Sequence, residues 1–372
     1  MKNKPPIRLL LTGGGTGGHL FPAIATAEAF CRRCPGTEIL FVGTKRNMDK
    51  ISLTQHGFAA KGIHCQGIKG KGALALAQAL FLLPVSFMEA CWHILYFRPQ
   101  LVVGVGGYVT GPVIAAARVL GRPTLIHEQN SVPGLANRKL GLLATRICLS
   151  LPGSEAFFPA GKTVVTGNPV RRQILELAAK SSELTNRAQQ LTVLILGGSL
   201  GAHRVNEMVV EALTRYRHLL PAGMQILHQT GAADEEMVRA AYEQAKITAT
   251  VAAFFTDMAA VYEKCDLLVS RAGATTLAEL AVLGKPAVLI PYPFAADDHQ
   301  YKNGCYYADC GGAILLVERD LTAGKLAATL ADLAGNPAKL VQMAEAMRTM
   351  GRPEAAEKIV DNCLAIMKQS NE

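Results

Sequence analysis

Acidic residues are scarce in the first half of this sequence. Residues 1–168 hold 6 Asp and Glu against 18 Lys and Arg, whereas the remainder holds 23 against 20. The net charge of +9 therefore resides in the first half and points that half at an anionic partner, either nucleic acid or an acidic membrane surface. No dense Lys/Arg run interleaved with aromatics is present, which argues against nucleic acid. The 9 cysteines, odd in number and scattered, lack the pattern of a disulfide framework and read as reduced thiols. Cys31 and Cys34 have C-x-x-C spacing without a second pair, and Cys305 and Cys310 near His299 lack a fourth ligand, so no structural zinc is expected. Only about five apolar residues precede the first glycine cluster, too few for a signal peptide, and the expectation is a protein that stays in the cytoplasm.

What is present is a repeated α/β pattern. A chain of 372 residues exceeds one ordinary core and predicts two domains. The stretch Ile7–Phe30 runs from a short apolar strand into Gly13-Gly14-Gly15-Thr16-Gly17-Gly18-His19 and then a helical pattern with Pro22 near its start. Strand, glycine loop and helix form a phosphate-binding arrangement, because bare backbone and free helix N–H groups can approach an anion. The same glycines also serve as a tight turn. Further strands are expected at Glu38–Val42, within 58–68, and at Leu101–Val105, Thr124–His127, Arg146–Leu149 and Lys162–Thr166. A second glycine loop spans Gly104–Pro112. Around Gly167-Asn168-Pro169-Val170-Arg171 the pattern pauses like a hinge and restarts at Leu191–Leu196, whose following Gly197 echoes Gly13 184 residues later. Strands at Gln225–Gln229, Thr250–Ala253, Leu267–Ser270, Ala287–Pro291 and Ala313–Leu316 follow, with a helix at Thr275–Leu283 and a helical tail from Leu321 broken at Gly351–Pro353. Strands alternating with helices predict two doubly wound parallel sheets, here residues 1–168 and 169–349, facing each other across a cleft. The tail helix, about 350–372, is expected to pack back on the first domain.

Ala73–Phe97 is long and apolar enough in outline to span a bilayer, but it carries Gln78, Pro84, Glu89 and His93. It reads either as two helices broken at the proline and packed on a sheet, or as a helix whose apolar outer face dips into a membrane interface. In the second case Lys61, Lys69, Lys71 and Arg98 would surround that face.

In the second half three strand ends carry polar chemistry. Gly197-Gly198-Ser199-Leu200-Gly201 offers amides and a hydroxyl suited to a diphosphate. Ser270–Thr276 opens a helix with Glu279 one turn in, where a carboxylate can take two ribose hydroxyls. Asp297-Asp298-His299-Gln300 can meet a sugar. Together they point to a nucleotide-sugar site. No D-x-D pairing stands beside a strand to hold a metal, and helix N-termini with Arg171 can neutralise a leaving diphosphate instead.

Seven ordered motifs between Ile7 and about Gly312 carry a resemblance: G-G-G-T-G-G-H-L-F-P-A, G-V-G-G-Y-V-T-G-P, H-E-Q-N-S-V-P-G-L-A-N, G-N-P-V-R, G-G-S-L-G-A, S-R-A-G-A-T-T-L-A-E-L and D-D-H-Q. The chain resembles the MurG family, the bacterial N-acetylglucosaminyltransferases of glycosyltransferase family 28 that complete the lipid-linked precursor of peptidoglycan. The resemblance implies a GT-B fold and a peripheral enzyme at the cytoplasmic face of the inner membrane. It further implies UDP-N-acetylglucosamine as donor, undecaprenyl-diphosphate-linked N-acetylmuramoyl-pentapeptide (lipid I) as acceptor, no cofactor and no metal, and other cell-wall synthesis proteins as partners to look for. By motif, Ser199 and Arg171 bind the donor diphosphate with help from Thr276, and Glu279 holds the ribose. Asn130 and Gln300 contact the sugar, and the backbone at Phe255 meets the uracil. His299 stands where some members have glutamine, which favours Gln300 for the sugar contact. The acceptor diphosphate is assigned to Gly14, Gly15, Thr16, Gly17 and Gly18 with Gly106, Gly107 and Tyr108.

Converting an α-linked donor to a β-1,4 product inverts the anomeric carbon and calls for a general base beside the acceptor's 4-hydroxyl. His19 is one candidate, with the alternative that its imidazole only bonds a phosphate or caps the loop, and Glu128 is the other. A UDP-N-acetylglucosamine 2-epimerase, another GT-B lipid glycosyltransferase and a non-catalytic sugar-nucleotide-binding protein are the rival readings.

Overall fold

The computed structural model describes residues 6–14, 17–45, 53–66, 73–180, 191–198 and 201–369, with the backbone alone for 73–80. The expectations for Gly15, Thr16, Lys69, Lys71 and Ser199, and for the side chain of Gln78, lie outside the described residues. The chain divides into two compact units, one of Met1–Arg171 with Arg352–Glu372 and one of Arg172–Gly351.

The first unit is built on seven parallel strands: β1 (Arg8–Thr12), β2 (Glu38–Thr44), β3 (Ala59–Ile63), β4 (Leu101–Gly104), β5 (Thr124–Glu128), β6 (Arg146–Leu149) and β7 (Thr163–Val165), in the order β3-β2-β1-β4-β5-β6-β7. Its helices are α1 (Gly17–Arg33), α2 (Ala73–Phe97), α3 (Thr110–Val119), α4 (Leu135–Leu143) and α13 (Ala355–Gln369). A parallel sheet has both faces covered, so its strands are continuous apolar runs rather than alternating ones. Leu9, Leu11, Val103, Leu125 and Cys148 pack with α1 and with Ile359, Val360, Cys363 and Ile366 of α13. Leu10, Val102, Ile126 and Ile147 pack on the other side with Ala90 and Ile94 of α2 and Val113 and Ile114 of α3. The reversal of strand order falls between β1 and β4, where Thr12 pairs with Gly104.

Pro84 does not divide Ala73–Phe97 into two helices; α2 is a single 25-residue helix running through it. A proline removes one helical hydrogen bond and crowds the preceding turn. Here the residues just beyond it are anchored. The buried Ser86 hydroxyl bonds to the carbonyls of Leu82 and His64, and Glu89 accepts from the His64 backbone N–H at 2.6 Å. The side turned to solvent carries Phe81, Met88, Trp92, Leu95 and Tyr96, all exposed. Among the described residues no helix is long and apolar enough to cross a membrane.

The second unit repeats the scheme with six parallel strands: β8 (Thr192–Leu196), β9 (Gln225–Gln229), β10 (Ala249–Ala252), β11 (Leu267–Ser270), β12 (Ala287–Leu289) and β13 (Ala313–Leu315), in the order β10-β9-β8-β11-β12-β13. The helices are α5 (Arg172–Lys180), α6 (His203–Arg215), α7 (Glu235–Gln244), α8 (Met258–Lys264), α9 (Ala274–Leu283), α10 (His299–Asp309), α11 (Ala323–Gly335) and α12 (Pro337–Thr349). Val193, Ile195, Val269 and Val288 pack against α6, α7 and α11. The tail has a break the sequence reading did not place, at Asn336. Its Oδ1 accepts from the Lys339 N–H at 3.1 Å, and Pro337 takes the first helical position, which together start a new helix. All nine cysteines are free.

Candidate active site

In the first unit the two glycine loops follow β1 and β4 and so flank the reversal of strand order, where open α/β sheets place their ligands. They are packed into each other. A Cβ on Gly13 would stand 2.2 Å from Val105 Cγ2, and one on Gly107 would stand 2.6 Å from the Gly14 carbonyl oxygen. Gly14, Gly106 and Gly107 also hold φ of +130°, +98° and +85°, a region closed to most side chains. These glycines thus answer a close approach of two backbones as well as any anion. Gly17 and Gly18 open α1, and the N–H groups of a helix's first turn have no partner within the helix itself. Tyr108 is half-buried, and its carbonyl accepts from Cys65 Sγ at 3.5 Å.

His19 stands in the first turn of α1 with its ring against the Cα of Gly106, where a Cβ would fall 2.9 Å from Nδ1. His19 Nδ1 and Gln129 Oε1 are 3.1 Å apart. Gln129 Nε2 donates to the Val105 carbonyl at 2.7 Å and lies 3.2 Å from His127 Nδ1. His127 Nε2 lies 3.2 Å from the Gly167 carbonyl and 3.1 Å from Ser150 Oγ. Burial holds the His127 pKa down at about 4, so the imidazole is neutral at neutral pH.

Glu128 is 2 % exposed and serves the loop that follows it. Its Oε1 accepts from the Asn130 backbone N–H (2.9 Å) and Asn130 Nδ2 (3.2 Å), and its Oε2 from the Gly134 N–H (3.3 Å) and Asn137 Nδ2 (2.8 Å). The carboxylate is committed to holding 130–137 in place, and with it the Asn130 side chain. Arg171 belongs to this unit, its guanidinium 4.8 Å above the Phe21 ring of α1.

In the second unit the corresponding loops follow β8 and β11. A Cβ on Gly197 would stand 2.6 Å from the Ala202 N, whereas the Cβ position of Gly198, at φ +84°, meets nothing within 4 Å among the described residues. Glu279 of α9 is buried, and its Oε2 accepts from Tyr262 O–H at 3.1 Å. Thr276 lies in the first turn of the same helix, half-buried. The Phe255 backbone N–H is already committed to Gln229 Oε1 at 2.9 Å, so a base can be met there only through the carbonyl. After β12, Asp297 and Asp298 both hold left-handed backbone, φ +53° and +56°, a strain that clusters at functional sites. Gln300 Oε1 accepts from the Tyr292 N–H at 3.0 Å, and His299 Nδ1 donates to the Ala296 carbonyl at 2.7 Å. Arg271 pins this loop from below through the Ile290 and Pro291 carbonyls and an ion pair with Glu318. Among the described residues no three His, Cys, Asp or Glu side chains gather as metal ligands.

Behind the β8 loop lies a buried polar chain that sequence reasoning missed. Tyr242 O–H donates to His228 Nδ1 (2.8 Å), His228 Nε2–H to Asn206 Oδ1 (3.1 Å), and Asn206 Nδ2 to the Thr230 carbonyl (2.8 Å) and Asp234 Oδ2 (2.7 Å). His203, the first residue of α6, completes it by donating to Asp234 Oδ1 at 2.8 Å. Burial holds the His228 pKa down at about 3 against an ordinary 6.5. With the folded value depressed, the unfolded chain binds the extra proton, so stability is intact above 6.5 and drains as pH falls toward 3. Chemical denaturation is expected to show a loss of about 2–3 kcal/mol from this group between about pH 7 and about pH 4.5, and His228→Gln to remove that part of the slope. An unchanged slope in the variant would mean that His228 is not buried neutral.

Models of the glycosyltransferase family 28 N-terminal and C-terminal domains match residues 9–149 and 192–359. The chain is 52 % identical, over 99 % of both sequences, to the UDP-N-acetylglucosamine–N-acetylmuramyl-(pentapeptide) pyrophosphoryl-undecaprenol N-acetylglucosamine transferase of Desulfotalea psychrophila. The crystal structure of Acinetobacter baumannii MurG superposes with a TM-score of 0.76 at 33 % identity, covering 96 % of this chain and 98 % of that one. The chain belongs to the MurG group of glycosyltransferase family 28. Both Rossmann-like units are those of a GT-B glycosyltransferase. A UDP-N-acetylglucosamine 2-epimerase from Neisseria meningitidis has TM-score 0.68 but 15 % identity, with 96 % and 100 % of the two chains covered, a likeness of fold alone. Within the MurG motif H-E-Q-N, sequence reasoning gave roles to Glu128 and Asn130 and passed over His127 and Gln129. The signal was the placement of four polar residues at the end of a buried strand.

Proposed function

We propose that this protein transfers N-acetylglucosamine from UDP-N-acetylglucosamine to the 4-hydroxyl of undecaprenyl-diphospho-N-acetylmuramoyl-pentapeptide, with inversion at the anomeric carbon. The observation that carries the reading is the 52 % identity, over 99 % of both chains, to a transferase named for that reaction. The donor is assigned to Ser199, Thr276, Glu279, the Phe255 carbonyl and the amide of Gln300, and by the motif resemblance to Arg171 and Asn130 as well. The acceptor diphosphate is assigned to the amides of Gly14–Gly18 and of Gly106, Gly107 and Tyr108. The α1 N-terminus supports this assignment, because its N–H groups and the helix dipole both favour an anion. His19, third residue of that helix, takes the role of general base; Glu128, occupied by four donors, holds the loop that carries Asn130.

The protein is proposed to work at the cytoplasmic face of the membrane as a peripheral enzyme. Phe81, Val85, Met88, Trp92 and Leu95 recur at helical spacing along the exposed side of α2 and form an apolar stripe in a basic half of the sequence. Binding to anionic vesicles that weakens at high salt supports this reading; recovery in detergent alone, whatever the salt, contradicts it.

The deciding assay is UDP release from UDP-N-acetylglucosamine with and without a short-chain muramoyl diphospholipid. Release that depends on the acceptor is the expected result. Conversion of UDP-N-acetylglucosamine alone to its manno epimer would establish the epimerase instead, and sugar-nucleotide binding without release would leave a binding protein.

A further inference from the structure

We propose that Gln129 is a positioning residue for the transfer step: it locks His19 in the tautomer that carries its proton on Nδ1, so that Nε2 is the nitrogen able to take the acceptor's hydroxyl proton. The proposal rests on the reading of His19 as general base. The chemistry of each neighbour forces the assignment. The Val105 carbonyl only accepts, so the amide atom 2.7 Å from it is nitrogen and the oxygen of Gln129 faces His19. That oxygen only accepts, so His19 Nδ1 must donate. The orientation of Gln129 is fixed a second time from behind. The Gly167 carbonyl requires a proton on His127 Nε2, which leaves His127 Nδ1 to accept the remaining amide proton of Gln129 at 3.2 Å. The chain of hydrogen bonds therefore runs in one direction and is closed by two backbone carbonyls, Val105 and Gly167.

Three further observations support the lock. Gln129 is 2 % exposed and His127 1 %, so water does not compete for the amide. Burial keeps His127 neutral, which preserves Nδ1 as an acceptor. The ring of His19 is confined against Gly106, where a Cβ would collide with Nδ1 and Cε1 at 2.9 Å. During transfer the acceptor oxygen bonds to the anomeric carbon while the carbon–oxygen bond to UDP breaks and its electron pair leaves with UDP. The hydroxyl proton passes to Nε2, and the resulting imidazolium keeps its Nδ1–H on the Gln129 carbonyl, whose dipole stabilises the new charge.

The test is nitrogen-15 NMR of the histidine side chains in the full chain, with the His19 signals among the 9 histidines identified by their loss in His19→Ala. The unaltered protein is expected to show Nδ1 protonated and Nε2 unprotonated; the reverse pattern overturns the proposal without any variant at Gln129. Gln129→Met, which keeps length and removes both hydrogen-bonding groups, is expected to shift His19 toward the Nε2–H form. It should lower kcat about 10- to 100-fold with KM for UDP-N-acetylglucosamine little changed. Gln129→Glu, whose neutral acid form restores an acceptor at Nδ1 and an O–H donor toward the Val105 carbonyl, is expected to recover the tautomer and part of kcat even if Met at this position unsettles the fold. A tautomer lost with kcat intact refutes the catalytic part. Wild-type turnover in His19→Ala instead refutes the base reading and leaves the tautomer result standing, so the two failures are distinguishable.

Discussion

Replacing His19 by alanine is expected to lower kcat by about 10²- to 10⁴-fold while leaving the affinity for UDP-N-acetylglucosamine within about twofold. The asymmetry follows from where the residue sits. His19 belongs to the glycine loop and helix end of the first unit, and its hydrogen bond to Gln129 ties it to β5 of the same unit. The residues proposed to bind the donor, Thr276, Glu279 and Gln300, belong to the second unit. Removing the imidazole takes away the proposed proton acceptor and opens space beside Gly106. Calorimetry of donor binding beside initial rates of UDP release measures both quantities. If the imidazole only bonds the acceptor's phosphate, the loss appears in KM for the lipid and kcat at saturation survives. A comparable loss of donor affinity would place His19 in the donor site.

Glu128→Gln is expected to cost about 2–4 kcal/mol of stability and most of the activity together. Every known neighbour of this carboxylate is a donor: two groups of Asn130 on one oxygen, Gly134 N–H and Asn137 Nδ2 on the other. A carboxamide can satisfy only one side. Its NH₂ then faces either the Asn130 pair or the Gly134–Asn137 pair, with donor against donor in a site 2 % exposed. The 130–137 loop should loosen, and chemical denaturation should register it in the first unit. A residue acting purely as a base would behave otherwise, losing turnover with stability unchanged. That second outcome would return Glu128 to the position of catalytic candidate.

The contrast between these two residues marks what sequence could and could not convey. Strands such as Arg146–Leu149 and Leu267–Ser270 coincide with their expected bounds, because a strand buried on both faces is a mostly apolar run stopped by polar or glycine residues; Gln225–Gln229 coincides as well, although only Ile226 and Leu227 in it are apolar. The placement of the motif loops at strand ends follows from the same pattern. Partners, by contrast, depend on which distant residues return to the same place. Glu128 is occupied because Asn137 comes back from α4, and Gln129 acquires a direction because Val105 belongs to the neighbouring strand's loop. The commitment of the Phe255 N–H to Gln229 is of the same kind. The proline in α2 misled for another reason: its local cost is readable, whereas the anchors from His64 and Glu89 that offset it join segments 25 residues apart.

The packing of α13 on the first sheet has a consequence for the order in which the protein can be made. One apolar side of β1, β4, β5 and β6 is closed jointly by α1 and by Ile359, Val360, Cys363 and Ile366, yet those last residues emerge from the ribosome after the whole of the second unit. Residues 172–351 contain all the strands of their own sheet and can condense as they appear. The earlier-made sheet, covered on that side by α1 alone, must wait with part of the flank greasy until α13 arrives to seal it. The unit synthesised first is thus the last to be finished, and its final seal depends on an intact α13.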